Sequence, residues 1–296
     1  MTILLVGSEG FIGSHIREYF RSKSFKVICC DIINKNEEDY YYLDSVRNDY
    51  SYFFKELHID VCINAAGSAN VAYSFQYPEK DFELNVSIVI SLLGAIKNFS
   101  PSCRFVNFSS AAVYGNPSEL PVKESSKLRP LSPYGYHKML SEKLLLEYHR
   151  FFDLKTCSLR VFSAYGPGLK KQLLWDMFQK STGNEVLRLY GTGNESRDFI
   201  YITDLVKALE LIIINAEFKG EAVNIASGIE TSVMDAALFF LKYFNKPINL
   251  EFNGEIREGD PLHWRADISI LKKMNFIPEV TIEKGISNYV KWLAVN

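Results

Sequence analysis

The spacing Gly7, Gly10, Gly13, set directly behind the apolar run 3–6, constrains this chain more than any other feature. Phe11, Ile12, Ile16 and Phe20 follow at helical period. The stretch therefore reads as a strand buried on both faces, a glycine turn and a helix. Gly7 permits a tight turn, Gly10 lets the backbone approach a pyrophosphate, and Gly13 lets helix and strand pack closely. Free N–H groups and the dipole at the helix N-terminus favour an anion there. The turn, with Phe11 and Ile12 at its helical end, is the expected cradle of a dinucleotide.

The strand that follows, 26–30, ends at Asp31. A carboxylate at that position accepts hydrogen bonds from the adenosine ribose hydroxyls. It favours NAD over NADP, because a 2′-phosphate would meet a negative charge. A third strand, 59–64, runs into Ala65, Ala66 and Gly67, small residues that let the backbone pass close to the cofactor. Between them, 34–49 is polar and tyrosine-rich and reads as loop with at most a short strand. Residues 78–100 read as one long helix, with Phe82, Leu84, Val86, Val89, Leu92, Leu93 and Ile96 on more than one face, as expected of a helix that is buried or at an interface. A strand at 104–109, a proline-containing loop at 120–131, a helix from SPYGYHK to about 152 and a strand at 156–162 complete the alternation.

This order predicts an α/β fold with a Rossmann-type doubly wound parallel sheet. Beyond Gly166 the texture changes to a helix at 170–180, a short strand at 186–190 and the turn GTGN. Runs 199–202 and 223–225 are expected to return to the main sheet, with a helix at 204–215 between them. A helix past Gly228, a strand near 248–252, the polar stretch NGEIREGDP and a last helix ending at Trp292 follow. The expected division is an NAD-binding domain of 1–165 plus about 197–226, and a smaller, discontinuous C-terminal substrate lobe of about 166–196 and 227–296.

Composition narrows the partners. A formal net charge of −2 gives no electrostatic case for nucleic acid or an anionic membrane. No apolar run approaches spanning length, and the N-terminal run is too short for a signal peptide and lacks a basic flank. The five cysteines include no C-x-x-C pair and are odd in number, so they read as small buried hydrophobes in a reducing, cytoplasmic setting. None of the five histidines pairs at metal-ligand spacing, so no metal site is expected, and no G-x-S-x-G elbow suggests acyl transfer.

The chemistry rests on Tyr134 and Lys138, one helical turn apart on the same face. Ser132 reads as the N-cap and Pro133 as the first helical residue, which puts the pair in an exposed first turn. A free tyrosine is a poor base at neutral pH, but a neighbouring ammonium and a positive nicotinamide ring favour its phenolate. Such a tyrosine can take a proton from a hydroxyl while hydride leaves the same carbon. Ser109 and Ser110 end a strand, where either hydroxyl can bond the reacting oxygen. Arg197 and Arg257 lie in polar stretches beyond Gly166, and a guanidinium suits a diphosphate.

Together these motifs resemble the extended short-chain dehydrogenase/reductases of the NAD-dependent nucleotide-sugar epimerase/dehydratase family, UDP-glucose 4-epimerase-like in character. The resemblance rests, in order, on GSEGFIG, Asp31, NAAG, Asn85, SSAAVYG, SPYGYHK, RVFSAYGPG, YGTGNESRDFIYITD, and REGD with ADIS after it. It implies NAD on the glycines and Asp31, and picks Ser110, immediately before two variable residues, as the catalytic serine. It implies that Tyr134 is the base and that Lys138 holds the nicotinamide ribose and tunes the tyrosine. It implies that Arg197 and Arg257 hold a nucleotide diphosphate and that Asp260 reaches the nucleotide ribose. A homodimer through helices near 85–99 and 134–152 is the common family form.

The two variable residues are Ala111 and Ala112, where dehydratases of the family carry an Asp-Glu pair and decarboxylases a glutamate. The resemblance therefore implies 4-epimerisation of a nucleotide-diphosphate sugar, with one-way reduction of a 4-keto sugar as the alternative. A dehydratase, or a non-catalytic dinucleotide sensor, is less expected. Ser163 stands where the family has an asparagine near the sugar and phosphates, so a modified sugar is expected rather than ordinary glucose or galactose.

Overall fold

Short apolar runs joined through helices pair in parallel, because each crossover carries the chain back to the same end of the sheet. The structure, a computed structural model, describes residues 1–45, 48–244, 246–255 and 259–295. In chain order its strands are β1 (Thr2–Val6), β2 (Lys26–Asp31), β3 (Tyr40–Tyr42), β4 (Val61–Asn64), β5 (Arg104–Ser110) and β6 (Lys155–Val161). Then follow β7 (Ser163–Tyr165), β8 (Val186–Leu189), β9 (Ser196–Tyr201), β10 (Lys219–Ile225), β11 (Glu230–Ser232) and β12 (Asn249–Phe252).

Seven of these form one parallel sheet in the order β10-β6-β5-β4-β1-β2-β3. The chain winds outward from β1 to β3 and then restarts on the other side of β1 with β4. Open α/β sheets take ligands at such a reversal, outside the carboxyl ends of the strands. Alternate residues of β1 face opposite layers. Ile3 and Leu5 pack with Ile16, Phe20, Leu205 and Leu209, whereas Leu4 and Val6 pack with Leu92, Leu93 and Leu145. The predicted doubly wound sheet is thus the observed one.

At the reversal, Gly7 has φ +81°, and a Cβ on it would lie 2.5 Å from the Ala66 backbone nitrogen. A Cβ on Gly13 would lie 2.0 Å from the Gly7 carbonyl oxygen. Neither position admits a side chain, so β1, the Phe11–Ser22 helix and the Ala65–Ala66 segment meet backbone to backbone.

Three expectations need correction. The first concerns 199–202, which belongs to β9 and lies outside the main sheet. β9 sits between β7 and β11 in a three-stranded sheet, parallel to the first and antiparallel to the second. A short apolar strand reads alike whichever sheet it joins. Here β6 runs through Phe162 straight into β7, which leaves the main sheet and pairs with β9, and only β10 returns to the vacated edge. A separate pair, β8 and β12, is parallel.

The second concerns 78–100, whose helix is not regular. Pro78–Phe82 and Ile88–Phe99 are α-helical, and Glu83–Ser87 between them is a π-helical turn. The third follows from it. Residues 78–99 have a mean hydropathy of 1.4 over their best window and are long and apolar enough to cross a membrane. The inner face of this helix, with Ile88, Val89, Leu92 and Leu93, packs into the core under the sheet.

One buried carboxylate ties the smaller sheets to the large one. Asp198 of β9 accepts the N–H and hydroxyl of Ser227, both at 2.8 Å, and the N–H groups of Gly228 and Ala266, both at 3.0 Å. Burial pushes its carboxyl up to about 6 and the four donors pull the other way.

Candidate active site

The Pro133–Phe152 helix begins as its sequence dictates: the Ser132 side chain accepts the Gly135 N–H at 3.2 Å, and proline occupies the first turn. Tyr134 and Lys138 then project from one face toward the end of β5. Ser110 lies close enough to the Tyr134 phenol to favour its charged form, and Lys138 Nζ donates to the Phe108 carbonyl at 2.8 Å and lies 5.9 Å from the Tyr134 ring centroid. Two equivalent serines were open to the sequence, and the structure separates them. Ser109 is buried and commits its hydroxyl to Glu142 at 2.5 Å, while Ser110 acts on the tyrosine.

The expected exposed first turn is in fact covered. Tyr134 and Lys138 are each only 6% exposed. The turn Ala111–Val113 packs on this end of the helix, close enough that a Cβ on Gly135 would lie 2.7 Å from the Ala112 carbonyl oxygen. Burial raises the phenol to about 12, with Ser110 opposing, and lowers Lys138 to about 8, against the pull of Asp81. The depressed tyrosine expected from the neighbouring ammonium is therefore not what the protein alone produces, because desolvation outweighs the effect of Ser110. Tyr136, two residues past Tyr134, is 53% exposed and so is not a core residue.

The dinucleotide cradle can be tested on the residues themselves. Gly10 caps the Phe11–Ser22 helix without a side-chain hydrogen bond, and no acid occupies its first turn, so N–H groups there remain for an anion. Phe11 and Ile12 are half-buried at that end. Asp31 is held by the Glu9 N–H at 2.9 Å and the Ile33 N–H at 3.2 Å. Two nearby bases, Arg17 and Lys35, are both paired with Glu9, which leaves the Asp31 charge to face a ribose.

At the other end, Gly67, Asn85 and Lys138 converge. A Cβ on Gly67 would lie 2.7 Å from Asn85 Oδ1 and 3.4 Å from Lys138 Nζ. Asn85 sits in the π-helical turn, and its Oδ1 is buried without a partner. An orphaned acceptor beside an ammonium suits the hydroxyls of a ribose. The residues fit NAD along the whole line from Asp31 to Lys138.

Across the cleft, Arg197 of β9 donates to the Ser196 carbonyl at 2.9 Å and lies over Trp264 at 5.8 Å from its centroid. Burial lowers its pKa, opposed by the charges of Asp260 and Glu195. It pairs with no carboxylate among the described residues, so it is a desolvated cation open to an anion. Asp260 lies close enough to act on it. Ser163 starts β7, opposite Phe199 in the register with β9. Arg257 lies outside the described residues. The 259–264 segment meets the catalytic helix: a Cβ on Gly259 would lie 3.5 Å from Ser132 Cβ, Leu262 N–H donates to Asn116 at 2.8 Å, and Trp264 Nε1 donates to the Gly115 carbonyl at 3.0 Å.

Two acids near this helix each have a basic partner. Glu142 is paired with Arg160, and Asp81 is hydrogen-bonded to His137 at 2.6 Å. Residues 111 and 112, next to Ser110, are alanines, so no carboxylate stands on that turn.

Residues 3–226 match the model of the NAD dependent epimerase/dehydratase family. A Methanocaldococcus jannaschii protein that carries the provisional name UDP-glucose 4-epimerase is 31% identical, with 99% of each chain covered. Among solved structures, the UDP-N-acetylglucosamine 4-epimerase of Methanobrevibacter ruminantium, in complex with UDP-N-acetylmuramic acid, superposes with a TM-score of 0.86 at 26% identity, covering 99% of this chain and 98% of that one. The UDP-glucuronic acid 4-epimerase of Bacillus cereus, in complex with UDP-glucuronic acid and NAD, gives 0.88 at 25% identity, covering 100% of this chain and 99% of that one.

Proposed function

The chain belongs to the NAD-dependent epimerase/dehydratase family, and from that premise we propose that it is a nucleotide-sugar 4-epimerase. The observation that carries this reading is the grouping of Ser110, Tyr134 and Lys138 at the end of β5 with alanines at 111 and 112. The redox set is complete, and the carboxylates that elimination or decarboxylation would use are missing from the turn. The relatives named above carry 4-epimerase names, one of them provisional, which does not favour the reductase alternative.

The residues divide the work as follows. Ser110 holds the oxygen on carbon 4, and Tyr134 takes its proton, with the serine favouring the phenolate. The glycine turn, Asp31 and Lys138 would hold NAD, which would supply a reversible hydride acceptor for carbon 4 and a positive ring charge near the tyrosine. Lys138, below about pH 8, adds an ammonium beside the phenol and reaches the ribose through the point it shares with Asn85. Arg197 and Arg257 hold the nucleotide diphosphate and Asp260 the nucleotide ribose while the 4-keto sugar turns, and Ser163 leaves more room beside the sugar than an asparagine would. Tyr134 then returns the proton.

Two further readings accompany this one. Ile90, Phe99, Tyr136, Leu140, Leu146 and Phe151 are exposed on the helices Ile88–Phe99 and Pro133–Phe152, and support a homodimer formed through that face. The five buried free cysteines support a reducing, cytoplasmic setting.

The test is turnover of a panel of UDP-, dTDP-, GDP- and CDP-sugars by purified protein with no cofactor added. The expected result is the 4-epimer of one of them with no net change in nicotinamide absorbance. Turnover only of a 4-keto sugar, with NAD(P)H consumed in step with product, would overturn the reading.

A further inference from the structure

The Pro133–Phe152 helix grips the strand beneath it at three successive turns of one face. Tyr134 meets Ser110, Lys138 meets the Phe108 carbonyl, and Glu142 accepts the Ser109 hydroxyl. Glu142 has no part in the chemistry proposed above, yet it is buried and fully engaged. Its carboxylate receives Arg160 Nε at 3.0 and 3.2 Å and Nη2 at 2.7 Å. Arg160 stands opposite Ser109 in the register of β5 and β6.

The network continues toward the other side of the cleft. Arg160 Nη1 donates to the Tyr114 hydroxyl and to the Glu124 carbonyl, both at 2.8 Å. Tyr114 donates to Asn224 Oδ1 at 2.6 Å. The Asn224 amide in turn donates to the Val122 carbonyl at 3.0 Å and the Asp267 carbonyl at 3.2 Å. Val122 and Ala266 form a parallel bridge, two residues from Trp264.

A buried ion pair is a weak source of stability, because a packed hydrophobic pair of similar volume commonly does as well. Directional bonds supply something such a pair lacks: one register between helix and strand. We propose that Glu142 and Arg160 are positioning residues, whose ion pair sets the Ser109–Ser110 strand end against the helix of Tyr134 and Lys138, and ties that placement through Tyr114 and Asn224 to the 264–267 segment. The inference rests on the reading above for the roles of Ser110 and Tyr134.

The experiment compares wild type with Ser109→Ala, Glu142→Gln and the double variant Glu142→Met, Arg160→Met. It measures kcat, KM, Tm and bound NAD. Glu142→Gln is expected to lose both Tm and kcat, since Arg160 is left unpaired. The double variant, with both charges gone, is expected to regain Tm while kcat stays roughly ten- to hundredfold down, at near-normal KM and NAD content, as misplacement of reacting groups predicts. Recovery of kcat together with Tm would show a purely structural pair and overturn the proposal. Ser109→Ala decides the matter if the double variant does not fold. It removes only the hydroxyl that Glu142 holds, so kcat is expected to fall severalfold with Tm near wild type, and an unchanged kcat overturns the proposal. Failure of the epimerase reading is seen in the wild type on the substrate panel. Failure of this inference is seen in the ratio of variant to wild type, whichever reaction of the family is followed.

Discussion

On the cofactor side of the cleft, Ser110, Tyr134 and Lys138 hang from one strand of a seven-stranded sheet and one helix packed on it. Across the cleft, Arg197 and Asp260 hang from a three-stranded sheet and a loop, joined to the rest by the four hydrogen bonds of Asp198, the Val122–Ala266 bridge and the bonds of Leu262 and Trp264. The first arrangement is repetitive: moving one residue means moving an element. The second joins segments far apart in the chain through short backbone pairings and a few polar atoms. The cofactor side is thus built to hold a fixed geometry around buried, costly groups, and the opposite side to join short strands and loops around a polar anchor. If the comparison is right, substitutions on one side should separate cleanly from those on the other in NAD content, kcat and KM.

The largest expected effect is Tyr134→Phe. The phenol oxygen is the only atom removed, and the ring keeps its packing. The loss of a positioned proton-transfer group costs roughly a hundred- to ten-thousandfold in rate. We expect kcat to fall by that amount, with NAD retained and Tm nearly unchanged. Undiminished turnover would sink the mechanism, and loss of NAD would show that this side is less rigid than the sheet suggests.

The two sides also differed in how much the sequence disclosed. The glycine turn, Asp31, the strand ends and the Tyr134–Lys138 spacing are local or periodic signals, and they mark the sheet and the cofactor line in order. Lost to sequence reading were facts that depend on what covers what. Burial of Tyr134 follows from the Ala111–Val113 turn lying on Gly135, and the π-helical turn that aims Asn85 carries no periodic mark. Glu142 did have a signal, because it lies eight residues past Tyr134 on the same face, but its partner Arg160 is set by strand register. On the far side, β9 was placed in the wrong sheet because pairing partners for a short apolar strand are decided by its neighbours. Asp198, which organises that side, looks in sequence like any surface acid in a polar stretch.

A second prediction concerns the cost of the buried ammonium. Lys138 gives up its proton near pH 8 in the folded protein, whereas an unfolded chain keeps it to about 10.4. Between those values the unfolded chain binds the extra proton, so this group makes stability rise with pH. A shift of that size corresponds to about 3 kcal/mol. Lys138→Met lacks the group. Measured by denaturant unfolding of cofactor-stripped protein, wild type should gain about that much relative to the variant from pH 8 to 10.5. A gap that stays flat across this window would mean that the ammonium is solvated after all, and that the cofactor side does not hold its lysine at a cost.

The smallest effect is expected from Asp198→Asn, which tests the opposite side directly. The carboxylate accepts two donors on each oxygen, from Ser227 on Oδ1 and from Gly228 and Ala266 on Oδ2. An amide offers one acceptor oxygen. Its least costly orientation keeps that oxygen toward the Gly228 and Ala266 N–H groups and turns its NH2 toward Ser227, whose hydroxyl can rotate to accept. The Ser227 N–H then remains buried and unpaired, at about 2 kcal/mol, or a few degrees in Tm. The strain falls on the joint between β9 and the segment after β10, so the placement of Arg197 shifts while the glycine turn does not. The expected outcome is a higher KM for the nucleotide sugar, with bound NAD unchanged. A variant that loses NAD as readily as substrate affinity would show that Asp198 supports the whole molecule, and the division between a sheet-held side and an anchor-held side would have to be given up.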